Sequence, residues 1–168
     1  MEFLALLASP IVGAACLALF GARRWAPEAN AGFSLATLLA AAALTIRVIG
    51  EGNITAAHEQ FFIDPFNVFL VSLTAFVSFT TSLFSRPYMR IEREHGRVKP
   101  GQLRLYHSMY QLFIAAMLVA LTSNNMGVVW VAMEAATLST VLLVTLYRTP
   151  ESLEAGWKYF ILCGVGIA

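Results

Sequence analysis

Long apolar runs separated by short polar stretches dominate this chain. The runs cover residues 3–20, 31–49, 63–84, 106–121 and 126–147, and a sixth begins near residue 153 and continues to 168. A helix needs about 17 to 25 apolar residues to cross about 30 Å of hydrocarbon at about 1.5 Å per residue. Each complete run meets that requirement, the fourth only if residues 103–105 join it. The pattern predicts an all-α fold: a polytopic transmembrane helix bundle with five complete spans and part of a sixth.

The polar stretches carry helix signals. Asp64-Pro65 places a carboxylate and a proline where the third helix starts, and Thr149-Pro150-Glu151 repeats that logic before the sixth. Asn124 or Asn125 can cap the fifth helix. Only residues 122–125 join the fourth and fifth spans, so these two are expected to be antiparallel neighbours. The chain divides into 1–62 (two spans and an outer loop), 63–105 (the third helix and a polar, basic loop from 85) and 106–168 (spans four, five and partial six). The outer loop holds Glu51, His58 and Glu59, with the histidine expected to be a surface residue.

Composition agrees with a membrane solvent. Hydrophobic residues make up 58% and charged residues 12% of the 168, against about 45 to 50% and about 25% in soluble domains. Charge distribution then orients the bundle. If successive helices alternate in direction, all of the 11 basic residues except Arg47 fall on one side. Basic residues in short loops stay cytoplasmic, which puts the amino terminus outside and the loop at 86–104 inside. A cleaved signal peptide is disfavoured, because Glu2 precedes the first run and Arg23-Arg24 follows it. Cys16 and Cys163 sit far apart within apolar runs and are expected to be small buried residues rather than a disulfide or metal ligands. There is no nucleotide-binding glycine loop, nucleophile elbow, or metal, flavin or quinone spacing. A catalytic centre or bound cofactor in this chain is therefore not expected, nor is a nucleic-acid partner.

Against this background Glu134 stands out, about eight residues into the fifth run. A carboxylate there costs at least about 2.5 to 3.5 kcal/mol on insertion scales, and such residues usually face a water-filled path or a charged partner. Ala135, Ala136, Thr137, Ser139 and Thr140 surround it, leaving room for water or close helix contact. It is read as a proton- or ion-handling group, with Thr137 one turn away; a static, protonated glutamate bonded to a neighbouring helix is the alternative. Lys158 stands about 12 Å up the sixth helix and either snorkels to the interface beside Trp157 and Tyr159 or acts electrically on Glu134. Thr74, Ser78, Thr81 and Ser85 share one face of the third helix, as a packing stripe or as the lining of a hydrated path. Tyr106, His107, Tyr110 and Gln111 open the fourth helix as an aromatic belt, the alternative for His107 being a proton relay. The basic stretch at 85–105 reads as a solvated, topology-setting loop or as a docking surface for a peripheral subunit.

Several of these segments resemble the antiporter-like membrane subunits of respiratory complex I and energy-converting hydrogenases, especially component F of hydrogenase 4, the formate hydrogenlyase type. They are YQLFIAAM from Tyr110, SNNMG from Ser123, WVAMEAATL from Trp130 and LEAGWKYF from Leu153, and the resemblance extends over residues 64–168. It implies a bundle of about fourteen helices made of two inverted repeats, with half-channels joined by charged residues at mid-membrane depth. Glu134 then corresponds to the family's fifth-helix glutamate and Lys158 to the lysine opening its sixth helix. Met133 departs from the tryptophan that many relatives place before the glutamate, and the seventh helix, which carries the lysine usually paired with that glutamate, is missing.

What the resemblance implies is an amino-terminal fragment of a proton-translocating subunit of a complex I-like or hydrogenase-type redox complex. The expected setting is the bacterial inner membrane, among other membrane-arm subunits, a peripheral redox arm and the lipid bilayer, with protons or sodium as the transported ion. A multisubunit sodium/proton antiporter and a non-conducting membrane anchor are the other readings.

Overall fold

The computed structural model describes residues 2–57 and 59–167, so His58 lies outside the described residues. Six helices carry most of the chain: α1 (Glu2–Phe20), α2 (Ala26–Glu51), α3 (Pro65–Glu94), α4 (Pro100–Thr122), α5 (Met126–Val144) and α6 (Pro150–Ile167). The first four, and α5 together with the 3-10 turn Thr145–Tyr147 that continues it, are long and apolar enough to cross a membrane. The protein is a multi-pass membrane protein, and the all-α bundle expected from the run lengths is the fold observed.

α1 to α4 close a four-helix unit in which α1 packs on α2 and α4, and α3 completes the ring between α2 and α4. α5 lies against α4 and α6 against α5, extending the unit sideways. Leu6, Leu44, Val71 and Leu118 are buried in the shared core. Outside, Leu19, Phe84, Leu162 and Val165 are exposed, the arrangement expected where lipid or further apolar helices form the surroundings.

Helix starts follow the sequence signals. Asp64 accepts from the Asn67 backbone N–H at 2.7 Å while the Asn67 side chain accepts from the Asp64 N–H at 2.8 Å, a reciprocal cap on α3. Asn125 Oδ1 accepts from the N–H groups of Gly127 and Val128 at the start of α5. Thr149 Oγ1 accepts from the Ser152 N–H at the start of α6. Close approach of α6 to the end of α5 requires Gly156, since a Cβ there would collide with the Thr145 methyl.

Two regions differ from the expectation. Most of the polar stretch at 85–105 is helical: α3 continues to Glu94, α4 begins at Pro100, and only residues 95–99 form the turn. That turn is closed by Arg97, which donates to the nearly buried Glu92 carboxylate at 3.0 Å, and by Gly96 at φ +69°. Charge did not break the helix because Met89 and Glu92 face inward, Met89 packing with Val98, Leu103 and Leu146 in a small second core. The outer loop also contains a short antiparallel hairpin, β1 (Ile54–Ala56) and β2 (Phe61–Ile63). Its end is fastened to the α4–α5 turn by Asn124, whose N–H donates to the Gln60 carbonyl at 2.7 Å, and by Asn125 Nδ2, which donates to Gln60 Oε1 at 2.9 Å.

Candidate functional site

Glu134 follows eight residues after the α5 start and is half-buried. Ala132, Ala136, Thr137 and Ser139 on the same helix are buried. Among the described residues the Glu134 carboxylate has no ion-pair or hydrogen-bond partner. The neighbouring hydroxyls are committed as donors: Thr137, Ser139 and Thr140 donate to the carbonyls of Met133, Ala135 and Ala136 at 3.1, 2.7 and 2.9 Å. Of the three only Thr137, three residues on, shares the Glu134 face of α5, and its remaining lone pair can still accept from a water or from a protonated carboxyl. α5 thus presents one titratable group with a single hydroxyl, that of Thr137, on its own face of the helix.

Lys158 lies on α6, the helix packed against α5. It is exposed and forms an ion pair with Glu154 one turn earlier, at 2.5 Å. The structure does not join Lys158 to Glu134 directly. Any effect of the ammonium on that carboxylate would act through space or through water, and an exposed pair such as Lys158–Glu154 holds its lysine only weakly.

Thr74, Ser78 and Thr81 do meet, lining a cavity of about 360 Å³ between α3 and α4. Tyr110, Phe113 and Ile114 of α4 form its other wall. Ser78 is buried with its hydroxyl unpartnered, while its carbonyl accepts from the Tyr110 hydroxyl at 2.6 Å. Ser85, which continues this face, is also unpartnered at its buried hydroxyl.

His107 is separate from Glu134. It is 1% exposed two turns into α4, with both ring nitrogens unpartnered. It lines a cavity at the arginine-rich end of the bundle rather than a surface belt. Gln111 likewise departs from the belt expectation: it is fully buried, and its amide donates to Asn30 Oδ1 at 2.9 Å, the Asn30 carbonyl at 3.0 Å and Ser34 Oγ at 3.1 Å. This interior network leaves only a faint mark on the sequence. Its trace was the four-then-three spacing of Asn30, Ser34 and Thr37, which puts three polar residues on one face of α2. Among the described residues no three His, Cys, Asp or Glu side chains gather to hold a metal, and Cys16 and Cys163 are free thiols.

No family model matches the chain. Over all 168 residues it is 44% identical to the hydrogenase-4 component F homolog of Methylacidiphilum infernorum, of which it covers 34%. It is 28% identical to NADH-quinone oxidoreductase subunit L of Mycobacterium tuberculosis, in a match covering 97% of this chain and 28% of that one. Subunit N of the same enzyme from Herminiimonas arsenicoxydans is 28% identical over 132 residues, 77% of this chain and 26% of that protein. The chain therefore spans about a third of the length of these curated relatives or less. The resemblance drawn from the Tyr110, Ser123, Trp130 and Leu153 segments holds, and it extends over the whole chain rather than from residue 64 alone.

Proposed function

We propose that this chain forms part of a membrane-arm subunit in a complex I-like or hydrogenase 4-type redox complex of the bacterial inner membrane, and that Glu134 carries a proton in that subunit. The observation behind this reading is the Glu134 carboxylate, half-buried within a span and without an ion-pair partner among the described residues. Its similarity to hydrogenase-4 component F and to two kinds of NADH-quinone oxidoreductase subunit supports the assignment to such an assembly.

In this mechanism Glu134 takes up and releases a proton as the positive charge around it changes. Redox chemistry in a peripheral arm would move charge along the membrane arm and so alternate the two states. Thr137 offers an acceptor for the proton in the neutral state. Lys158 supplies a positive charge on the adjacent helix, and the face of Thr74, Ser78 and Thr81 admits water between α3 and α4.

The test is Glu134→Gln in the complete assembly, assayed in inverted membrane vesicles. Proton uptake should fall at least about tenfold while electron transfer persists. Unchanged uptake rejects the assignment, and uptake that requires sodium moves it to a sodium/proton exchanger.

One observation favours a second reading, in which the chain anchors a peripheral arm without conducting. α3 and α4 project beyond their apolar parts as a basic hairpin. In that case Glu134→Gln is silent, and charge reversal at Arg97 and Lys99 releases the peripheral subunits.

A further inference from the structure

At the arginine-rich end of the bundle, the turn after α1, the last turns of α3 and the first turns of α4 enclose a cavity of about 210 Å³. Arg23 and Arg24 reach it from the turn, Arg90 and Arg93 from one face of α3, and His107 from α4. Four guanidinium groups line this small volume, and although all four are exposed and partly screened by solvent, an anion between them lowers their mutual repulsion. The protein supplies one carboxylate, Glu28, and an aromatic face, the Phe20 ring 5.4 Å below the Arg23 guanidinium. Glu28 stands 3.8 Å from Arg90 but is bonded to Arg86 at 3.1 Å, and among the described residues Arg23, Arg24 and Arg93 have no carboxylate partner.

His107 gives the second, independent indication. It is 1% exposed, lines the cavity, and has neither ring nitrogen hydrogen-bonded. A buried imidazole carries at least one N–H donor, and native structures rarely leave such a donor unused. An acceptor in the cavity would use it.

Depth identifies the kind of acceptor. The apolar part of α3 ends at Phe84, so Arg90 and Arg93 stand about 9 and about 13 Å farther along the helix. Arg23 and Arg24 follow directly on the last turn of α1. The cavity therefore opens at the level where phospholipid phosphates lie, just outside the hydrocarbon. Guanidinium forks match phosphate oxygens in pairs, and basic pockets between helices on the cytoplasmic side suit acidic headgroups.

We propose that this cavity, floored by His107 and walled by Arg23, Arg24, Arg90 and Arg93, is a phosphate-binding site that in the membrane holds the phosphodiester of an anionic phospholipid. The bound phosphate fastens the α1–α2 turn to α3 and α4. The site is distinct from Glu134 and does not depend on proton handling there.

The test uses the whole chain in nanodiscs of phosphatidylcholine, or of an equal mixture with phosphatidylglycerol. Lipid retained on the released protein is read by native mass spectrometry and thermal stability by circular dichroism. The wild type should retain phosphatidylglycerol and melt higher in the mixture. Arg24→Gln with Arg93→Gln should weaken retention at least about tenfold, as expected for losing two charge-assisted contacts. Arg148→Gln removes a charge at the same end but outside this cavity and should change nothing.

Inorganic phosphate added to the phosphatidylcholine discs separates the sources. Arginine-dependent stabilisation by phosphate means that the site also takes the free anion, and its absence confines the site to lipid; both support a phosphate site. Retention that the double variant leaves intact, or the lack of any response to either anion, overturns it. If the double variant does not fold, Arg24→Gln and Arg93→Gln singly should each show part of the same loss.

Discussion

The Gln111 side-chain amide on α4 meets Asn30 Oδ1 on α2 at 2.9 Å, in the interior of a unit whose helices are apolar enough to cross a membrane. Both residues are buried, at 0% and 1% exposure. The pair links α2 and α4 across the ring, where the helices otherwise touch mainly through α1 and α3. Its value lies in register as well as energy, since only one axial offset brings the amide onto its acceptors.

Gln111→Leu should therefore destabilise the chain. Interhelical hydrogen bonds in membranes average about 0.6 kcal/mol and reach about 1.7. With Asn30 Oδ1 and Ser34 Oγ losing their donor while the Asn30 carbonyl keeps its helix bond, a loss of about 1 to 2 kcal/mol is expected, measured by reversible unfolding in mixed micelles. Asn30→Leu combined with Gln111→Leu should cost less than the sum of the single changes, and strict additivity would show that the contact is not energetically coupled.

Asn125 has two functions that substitution can separate. As the cap of α5 it satisfies backbone N–H groups, and through Nδ2 it holds Gln60 of the hairpin. Asn125→Ala should cost about 1 kcal/mol and speed amide exchange at both places. Asn125→Asp should retain the cap, and loosen only the hairpin. Equal exchange rates in the two variants would refute the division of labour.

Gly156 should tolerate no larger side chain. Gly156→Val forces a branched group onto Thr145, and overpacking of this kind costs about 1 to 3 kcal/mol. A cysteine pair spanning α5 and α6 should cross-link more slowly in the variant. Gly156→Ala with Thr145→Ser, which removes the colliding methyl, should recover most of the rate.

The sequence displayed the spans plainly because run length and caps are local properties: Asp64, Asn125 and Thr149 all start helices where expected. The continuation of α3 to Glu94 was hidden because arginines and glutamates between runs look the same in a loop and in an exposed helix. What distinguishes them is that Met89 and Glu92 turn inward, a tertiary fact. The hairpin was illegible for a different reason, since three-residue strands have too little alternation to read. Glu134 was legible as a lone carboxylate in a span, but its surroundings depend on how α5 packs, which spacing does not encode. Gln111 was misread as part of an interfacial belt because neighbouring Tyr106 and Tyr110 suggested one. The polar face of α2 opposite it was the missing clue.

Lys158 offers the sharpest separation of structural from electrical roles. Its contact with Glu154 lies on a single helix, with side-chain exposures of 68% and 65%. Such a pair contributes about 0 to 1 kcal/mol, because solvent screens it and ordering two long side chains opposes it. Lys158→Gln should accordingly change the melting behaviour of the chain by no more than about 0.5 kcal/mol. Were the lysine only an interfacial side chain, proton transport in the complete assembly would be equally indifferent. If its charge acts on Glu134, transport should fall while stability stays, and Lys158→Arg should preserve more of it than Lys158→Gln. Glu154→Gln separates the cases further. It releases the ammonium from its local partner, so transport should be maintained or rise when the charge matters, and should stay level with Lys158→Gln when it does not. Measuring proton uptake and unfolding on the same three variants decides between the two roles, because a packing defect would move both quantities together.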